Sequence, residues 1–210
     1  MDALFIYGSR ARGDYGAESD TDLLAFVRKT WPRNETINGI TTTFVSPKDA
    51  LKKCRSGDLF WLHVVREAVP IYDPKEIQRL ISTNFNYKKS YQLERNQALD
   101  LAKLLINVVK NEIDWKVFNK RAAWCVRTAI IARLAEIRKE VFSAKEIIRN
   151  SVNREVAMDI ISHKDSSFEN KTSICSLKKF VLSEYGEVYT PEPVEDIVRR
   201  LSIAKNYIGL

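Results

Sequence analysis

The sequence predicts an α+β fold: a small mixed β-sheet module with flanking helices, followed by an all-α helical bundle. Three observations carry that expectation. Short apolar or β-branched runs closed by turn residues are confined to the first third of the 210 residues, the signature of strands. From Pro74 onward apolar residues recur at helical spacing. Between the two stands the break Asp73-Pro74. The expected boundaries are 1–84 for the sheet module and 85–210 for the helical one.

The elements follow in order. "LFIYG" is a buried strand closed by Gly8, "DLLAFV" a second, and "GITTTFV", rich in β-branched residues, a third. Ser46 as N-cap and Pro47 at the first helical position open the helix "SPKDALKKC". "SGDLFWLHVVREA" is another helix, starting near Ser56 or Asp58, and "VPIYD" is a short edge strand, where proline is tolerated. In "LERNQALDLAKLLINVVKNEI", Leu93, Ala98, Leu101, Leu105, Val108 and Val109 share one broad face. A long amphipathic helix runs from Trp115 to Phe142, and Ser143 with Glu146 forms a capping box for the next. "NREVAMDIISH" and "SICSLKKFVLSEYG" are shorter helices, the second stopped by Gly186. "TPEPVEDIVRRLSIAKNYI" closes the chain, and the polar stretch 162–173 reads as a mobile loop.

Composition narrows the class of protein. Apolar residues make up 45% and charged residues 29%, as in globular proteins. No apolar stretch approaches the roughly 18 residues that span a bilayer. The opening MDALFIYG has no basic residues ahead of its apolar run, so no secretory leader is expected, no membrane partner, and a cytoplasmic location. Cys54, Cys125 and Cys175 lack metal-ligand spacing and read as buried thiols in a reducing compartment. The net charge of +7 lies wholly beyond residue 73, since residues 1–73 carry ten basic and ten acidic side chains. Such an excess suits either a solvated lysine-rich surface or attraction to a polyanion such as RNA.

The chemistry concentrates in "GSRARGDYGAESDTDLLAF". A strand that turns at Gly8-Ser9 into a helix leaves backbone N–H groups free to bind an anion, and glycine lets a phosphate approach closely. Arg10 and Arg12 lie within reach of the same charge. Asp20 and Asp22, two apart, project from one face of a strand. Like charges held together call for a cation between them, and oxygen donors favour Mg2+. These residues resemble the motif GSxARG, short linker, SDxDLL of the DNA polymerase beta-like nucleotidyltransferase superfamily, particularly its minimal bacterial type. A looser similarity continues through "GDLFWLHVVREAVPIYD", and many relatives carry a helical partner domain.

The resemblance implies a Mg2+- (or Mn2+-) dependent transfer of a nucleoside monophosphate, AMP from ATP, to a hydroxyl on a protein, RNA or small molecule. Pyrophosphate leaves. Gly8, Ser9 and Arg12 would hold the triphosphate, and Asp20 and Asp22 would be metal ligands and catalytic residues. A homodimer is compatible with the type. Relatives usually add a third carboxylate on a following strand. Here Thr43 falls at that position, with Glu35, Asp49, Asp58 and Glu67 as the nearby acids. Three outcomes stay open: another acid substitutes, two ligands suffice, or nucleotide is bound without efficient transfer, the alternative function. An RNA-binding helical protein with a vestigial first module is a further class. Arg127, in otherwise apolar "RAAWCVRTAI", needs an anionic partner. That partner is either a core carboxylate or a nucleotide phosphate, with Lys120 and Arg121 as second-line candidates for the same task. His63 and His163 read as packed or surface histidines, and Phe60, Trp61, Trp115, Phe118 and Trp124 as core.

Overall fold

A computed structural model describes residues 1–16, 19–30, 32–108, 114–168, 171–186, 190 and 192–203. The chain divides into two units, Met1–Lys89 and Ser90–Leu210. The first holds β1 (Ala3–Tyr7), α1 (Gly8–Arg12), β2 (Thr21–Phe26), β3 (Arg33–Ile37), β4 (Ile40–Val45), α2 (Pro47–Arg55), α3 (Leu59–Glu67), β5 (Val69–Tyr72) and α4 (Ile77–Thr83). The second holds α5 (Gln92–Val108), α6 (Trp115–Glu136), α7 (Ala144–Arg149), α8 (Arg154–Ser162), α9 (Lys171–Tyr185) and α10 (Val194–Ile203). The architecture is the α+β one the sequence predicts.

The sheet runs β3-β4-β2-β1-β5. β2 and β4 are parallel and every other pair is antiparallel. Strand alternation sends Ala3, Phe5 and Tyr7, then Leu24 and Phe26, and Val45, to a single face. There they pack with Ala50 and Cys54 of α2, Trp61 and Val64 of α3, and Ile77 and Ile81 of α4. Phe5, Leu24 and Phe26 are fully buried, each contributing about 1.5–3 kcal/mol relative to exposure. The caps are those the sequence suggests. Ser46 Oγ accepts from the Asp49 amide at 3.1 Å, and Asp58 accepts from the amides of Phe60 and Trp61. Phe85 packs against the same core and the Asn86 amide donates to the Cys54 carbonyl at 3.1 Å, so residues 85–89 group with the sheet.

β3 is the element the apolar pattern does not announce. All five of its residues are exposed, so nothing in them alternates. Its signal was the turn Asn38-Gly39, where φ is 50° and 75°, the pairing of positive angles that closes a two-residue hairpin.

In the helical unit α6 is central rather than amphipathic. Phe118, Ala122, Ala123, Cys125, Val126, Ala129, Ile130, Ala132, Leu134 and Ala135 are all buried, which covers most of its circumference. It stops at Glu136, six residues before the expected end, where Arg138 takes a φ of 60°. Val141 and Phe142 are buried as part of the connecting segment instead. On α5, Ala98, Leu101 and Leu105 are buried whereas Leu93 is exposed at the first turn; Val109 lies outside the described residues. Ser143 caps α7 by accepting from the Glu146 amide at 3.2 Å. The polar stretch 162–173 spans the α8–α9 connection, with its last residues already in α9. Cys54 and Cys125 are buried, but Cys175 is exposed, because it lies on the outer side of α9 between the buried Ser173 and Leu177. Trp61 is buried, and Trp115 and Trp124 pack against the helical core. Among the described residues no helix is long and apolar enough to cross a membrane.

One ion pair is sunk into this unit. Arg133 Nε lies 2.6 Å from Glu184 Oε1, and the Glu184 side chain is only 1% exposed. Removing the cation strands a buried carboxylate, which costs about 3 kcal/mol. Arg133→Met is expected to lower stability by about that amount in urea titration, and Arg133→Met with Glu184→Leu to recover most of it.

Candidate active site

The site is built by strand pairing. β1 and β2 run antiparallel with Tyr7 opposite Asp22, Phe5 opposite Leu24 and Ala3 opposite Phe26. Burying Phe5 with Leu24 and Ala3 with Phe26 locks the register, because a slip of one residue would turn each of these side chains to the other face. The lock leaves Asp22 beside the end of β1, where the chain turns at Gly8. Gly8 is buried with φ +75°, and a Cβ there would lie 2.8 Å from Asp22 Oδ2. The absent side chain is what lets the carboxylate lie flush against the hinge.

Asp20 sits differently. β2 begins at Thr21, so Asp20 precedes the paired strand and is exposed. Of the two acids, Asp22 lies within the paired strand. What ties down the approach to Asp20 is Arg10, which the sequence places within reach of the turn. Its Nη2 donates to the Ser19 carbonyl at 2.9 Å, and its guanidinium lies over the Tyr15 ring at 4.9 Å. The Ser9 carbonyl accepts from the Asp14 amide at 3.1 Å, and Ser19 Oγ from the Gly16 amide at 2.9 Å. The clue available in the sequence was the arginine's position directly after Gly-Ser; the fold supplied the carbonyl.

Arg12 points elsewhere. Its Nε donates to Asp14 at 3.1 Å and its Nη1 to Glu67 Oε2 at 2.6 Å. Glu67 also meets His63 Nε2 at 2.6 Å, and the His63 ring lies edge-on to Tyr7. Burial would lower the Arg12 pKa, but the bonds from Asp14 and Glu67 outweigh it and push it up. This cluster fastens α1 to α3. α1 has only five residues, too short for a substantial helix dipole at the hinge.

Across the sheet from Asp22, the neighbour on β4 is Thr41, with Thr43 one pair further along beside Leu24. Beyond Thr41 lies Thr36 on β3, and the two hydroxyls are 3.1 Å apart. The row through the site thus reads Tyr7, Asp22, Thr41, Thr36, with no second acid. Glu35 pairs with Thr42 and so belongs to the opposite face, bonded to Arg33 at 2.8 Å. Asp49 accepts from Ser46 at 2.6 Å and Asp58 pairs with Lys53 at 3.1 Å. Among the described residues no group of three or more His, Cys, Asp or Glu side chains is arranged to hold a metal. Two hard-oxygen donors do fit Mg2+ or Mn2+, which retain waters and phosphate oxygens as their remaining ligands. Arg127 belongs to the helical unit, where its Nη2 donates to the Phe142 carbonyl at 3.1 Å.

A hinge seated on a carboxylate at the end of paired strands can be set beside known families. The family described as nucleotidyltransferase domain matches residues 2–123, more than half of the chain. The chain belongs to the nucleotidyltransferase domain family. The match takes in the whole sheet unit and continues through α5 into α6. It agrees with the resemblance carried by GSRARG and SDTDLL. No curated protein matches the chain. Members of this family are transferases that generally use a nucleoside triphosphate and a divalent metal.

Two outcomes follow from this geometry. Gly8→Ala is expected to displace the Asp22 carboxylate and to strain the hinge, lowering stability by about 1–3 kcal/mol in thermal melts. Burial pushes the Tyr7 phenol up to about 12, and the Asp22 charge acts in the same direction. With the unfolded phenol near 10, its contribution is complete below pH 10 and is lost as pH rises to 12. Urea titrations at pH 9 and pH 12 should show Tyr7→Phe losing about 2 kcal/mol less stability over that interval than the unaltered chain.

Proposed function

We propose that this nucleotidyltransferase moves a nucleoside monophosphate, AMP from ATP, to a hydroxyl acceptor on a protein, RNA or small molecule, and releases pyrophosphate. The observation that carries the reading is the seating of the Asp22 carboxylate against Gly8. It supports a cation held by the carboxylate beside a phosphate held by the backbone N–H groups of the hinge. In this reading Gly8 and Ser9 cradle the triphosphate, and Asp20 and Asp22 hold Mg2+ or Mn2+. The bound metal would neutralise charge on the phosphates and on the departing pyrophosphate. Arg10, through Ser19, keeps the segment leading to Asp20 in place. Arg12, engaged by Asp14 and Glu67, holds α1 against α3 and serves the hinge indirectly. Positioning and charge neutralisation account for most of the catalysis in such transfers.

A second reading has its own observation. Thr41 stands opposite Asp22 and Thr43 follows it, so among the described residues of this face no third carboxylate bridges to an acceptor-side metal. The same fold would then bind nucleotide and transfer it poorly.

One experiment separates them. The full chain is incubated with each labelled triphosphate, Mg2+ and cell lysate, with pyrophosphate release and calorimetric ATP binding measured in parallel. Transfer is expected, and Asp22→Asn should lower it by about 10²–10³-fold with the fold intact by circular dichroism. Binding without pyrophosphate supports the second reading, in which case Thr41→Asp is expected to tighten Mn2+ binding. Label transfer unaffected in both Asp20→Asn and Asp22→Asn would refute the site.

A further inference from the structure

At the end of the sheet remote from Asp22, basic side chains of the first unit collect. β1 starts there and β2 and β4 end there, and α2 departs from β4. Two clefts of about 320 Å3 and 550 Å3 adjoin, sharing Lys48. Arg28 and Lys75 line the first, with Lys52 and Arg55 in the second. Lys48, Leu51, Lys52 and Arg55 are spaced i, i+3, i+4, i+7, so they form one stripe along α2. Pro47 and Leu80 supply apolar surface beside it, and Leu80 is 41% exposed.

Anions do not balance these five cations. Asp2 bonds Lys75 and lies 3.6 Å from Arg28. Asp49 is turned onto the Ser46 hydroxyl, Asp73 accepts from the amides of Ile77 and Gln78, and Glu76 pairs with Arg79. Arg55 bonds the neutral amide oxygen of Asn84. Lys48 and Lys52 make no ion pair among the described residues. The face therefore presents positive charge around an apolar strip.

We infer that this face docks an acidic, leucine-bearing segment of a partner protein. Glutamate or aspartate would meet Lys48, Lys52 and Arg55, and an apolar side chain would cover Leu51 and Leu80, the arrangement of an amphipathic helix in a groove. Single-stranded nucleic acid is less suited, since it binds on exposed aromatic platforms and none lines these clefts. The inference is independent of the transfer chemistry.

The test is fluorescence anisotropy of the full chain with a labelled peptide of glutamates and leucines at i, i+3, i+4 spacing, against a labelled single-stranded RNA. The peptide is expected to bind with an affinity that falls as salt rises. Lys48→Glu with Lys52→Glu should weaken it at least about tenfold, about 1.4 kcal/mol. Leu51→Ser should weaken it while leaving the salt dependence, and Asp22→Asn should leave it unchanged. Absence of peptide binding overturns the inference. So does peptide binding that ignores the α2 variants, or RNA binding that the lysine variants abolish and Leu51→Ser does not touch.

Discussion

The pairing of Tyr7 with Asp22 is the constraint on which the rest of the site depends. Neither residue chooses its position alone. The burial of Phe5 with Leu24 and of Ala3 with Phe26 settles the register two and four residues away, and the carboxylate is carried to the hinge as a result. Apolar packing thus places a charged group in a half-buried position at the mouth of the turn. Gly8 completes the arrangement by having no side chain in the way.

Much of this was legible before any coordinates. The runs LFIYG, DLLAFV and GITTTFV became β1, β2 and β4, and Ser46, Asp58 and Ser143 became caps. These are local matters of periodicity and hydrogen bonding that a few adjacent residues decide. β3 was hidden because it is exposed on every residue and leaves no apolar trace. The end of α6 was hidden because Val141 and Phe142 are buried whether helical or not, so burial alone could not mark the stop. Within the site, the nearness of Gly8 to Asp22 was implied by the motif. The register partner of Asp22 was not, since whether Thr41 or Thr43 faces it depends on where a parallel strand docks. Nor could spacing tell that Arg12 would be taken up by Asp14 and Glu67 while Arg10 reached Ser19.

The distribution of charge follows the same division between sequence and space. Residues 1–73 are neutral as a sum, yet folding gathers Asp14, Asp20, Asp22 and Glu67 with two arginines toward the hinge, and a lysine-rich stripe toward α2. A sum over the chain reports none of this. The helical unit shows the converse economy: its α6 is apolar on most sides, and its buried charges among the described residues include Glu94 and the Glu184 that pairs with Arg133.

The three cysteines differ in a way that has a practical reach. Burial drives the Cys54 thiol up to about 12 and the Cys125 thiol higher still, so neither offers a thiolate near neutrality. Cys175 stands exposed on α9. A maleimide dye or spin label added to the unaltered chain would settle on that one helix, giving a spectroscopic reporter on the helical unit without prior engineering.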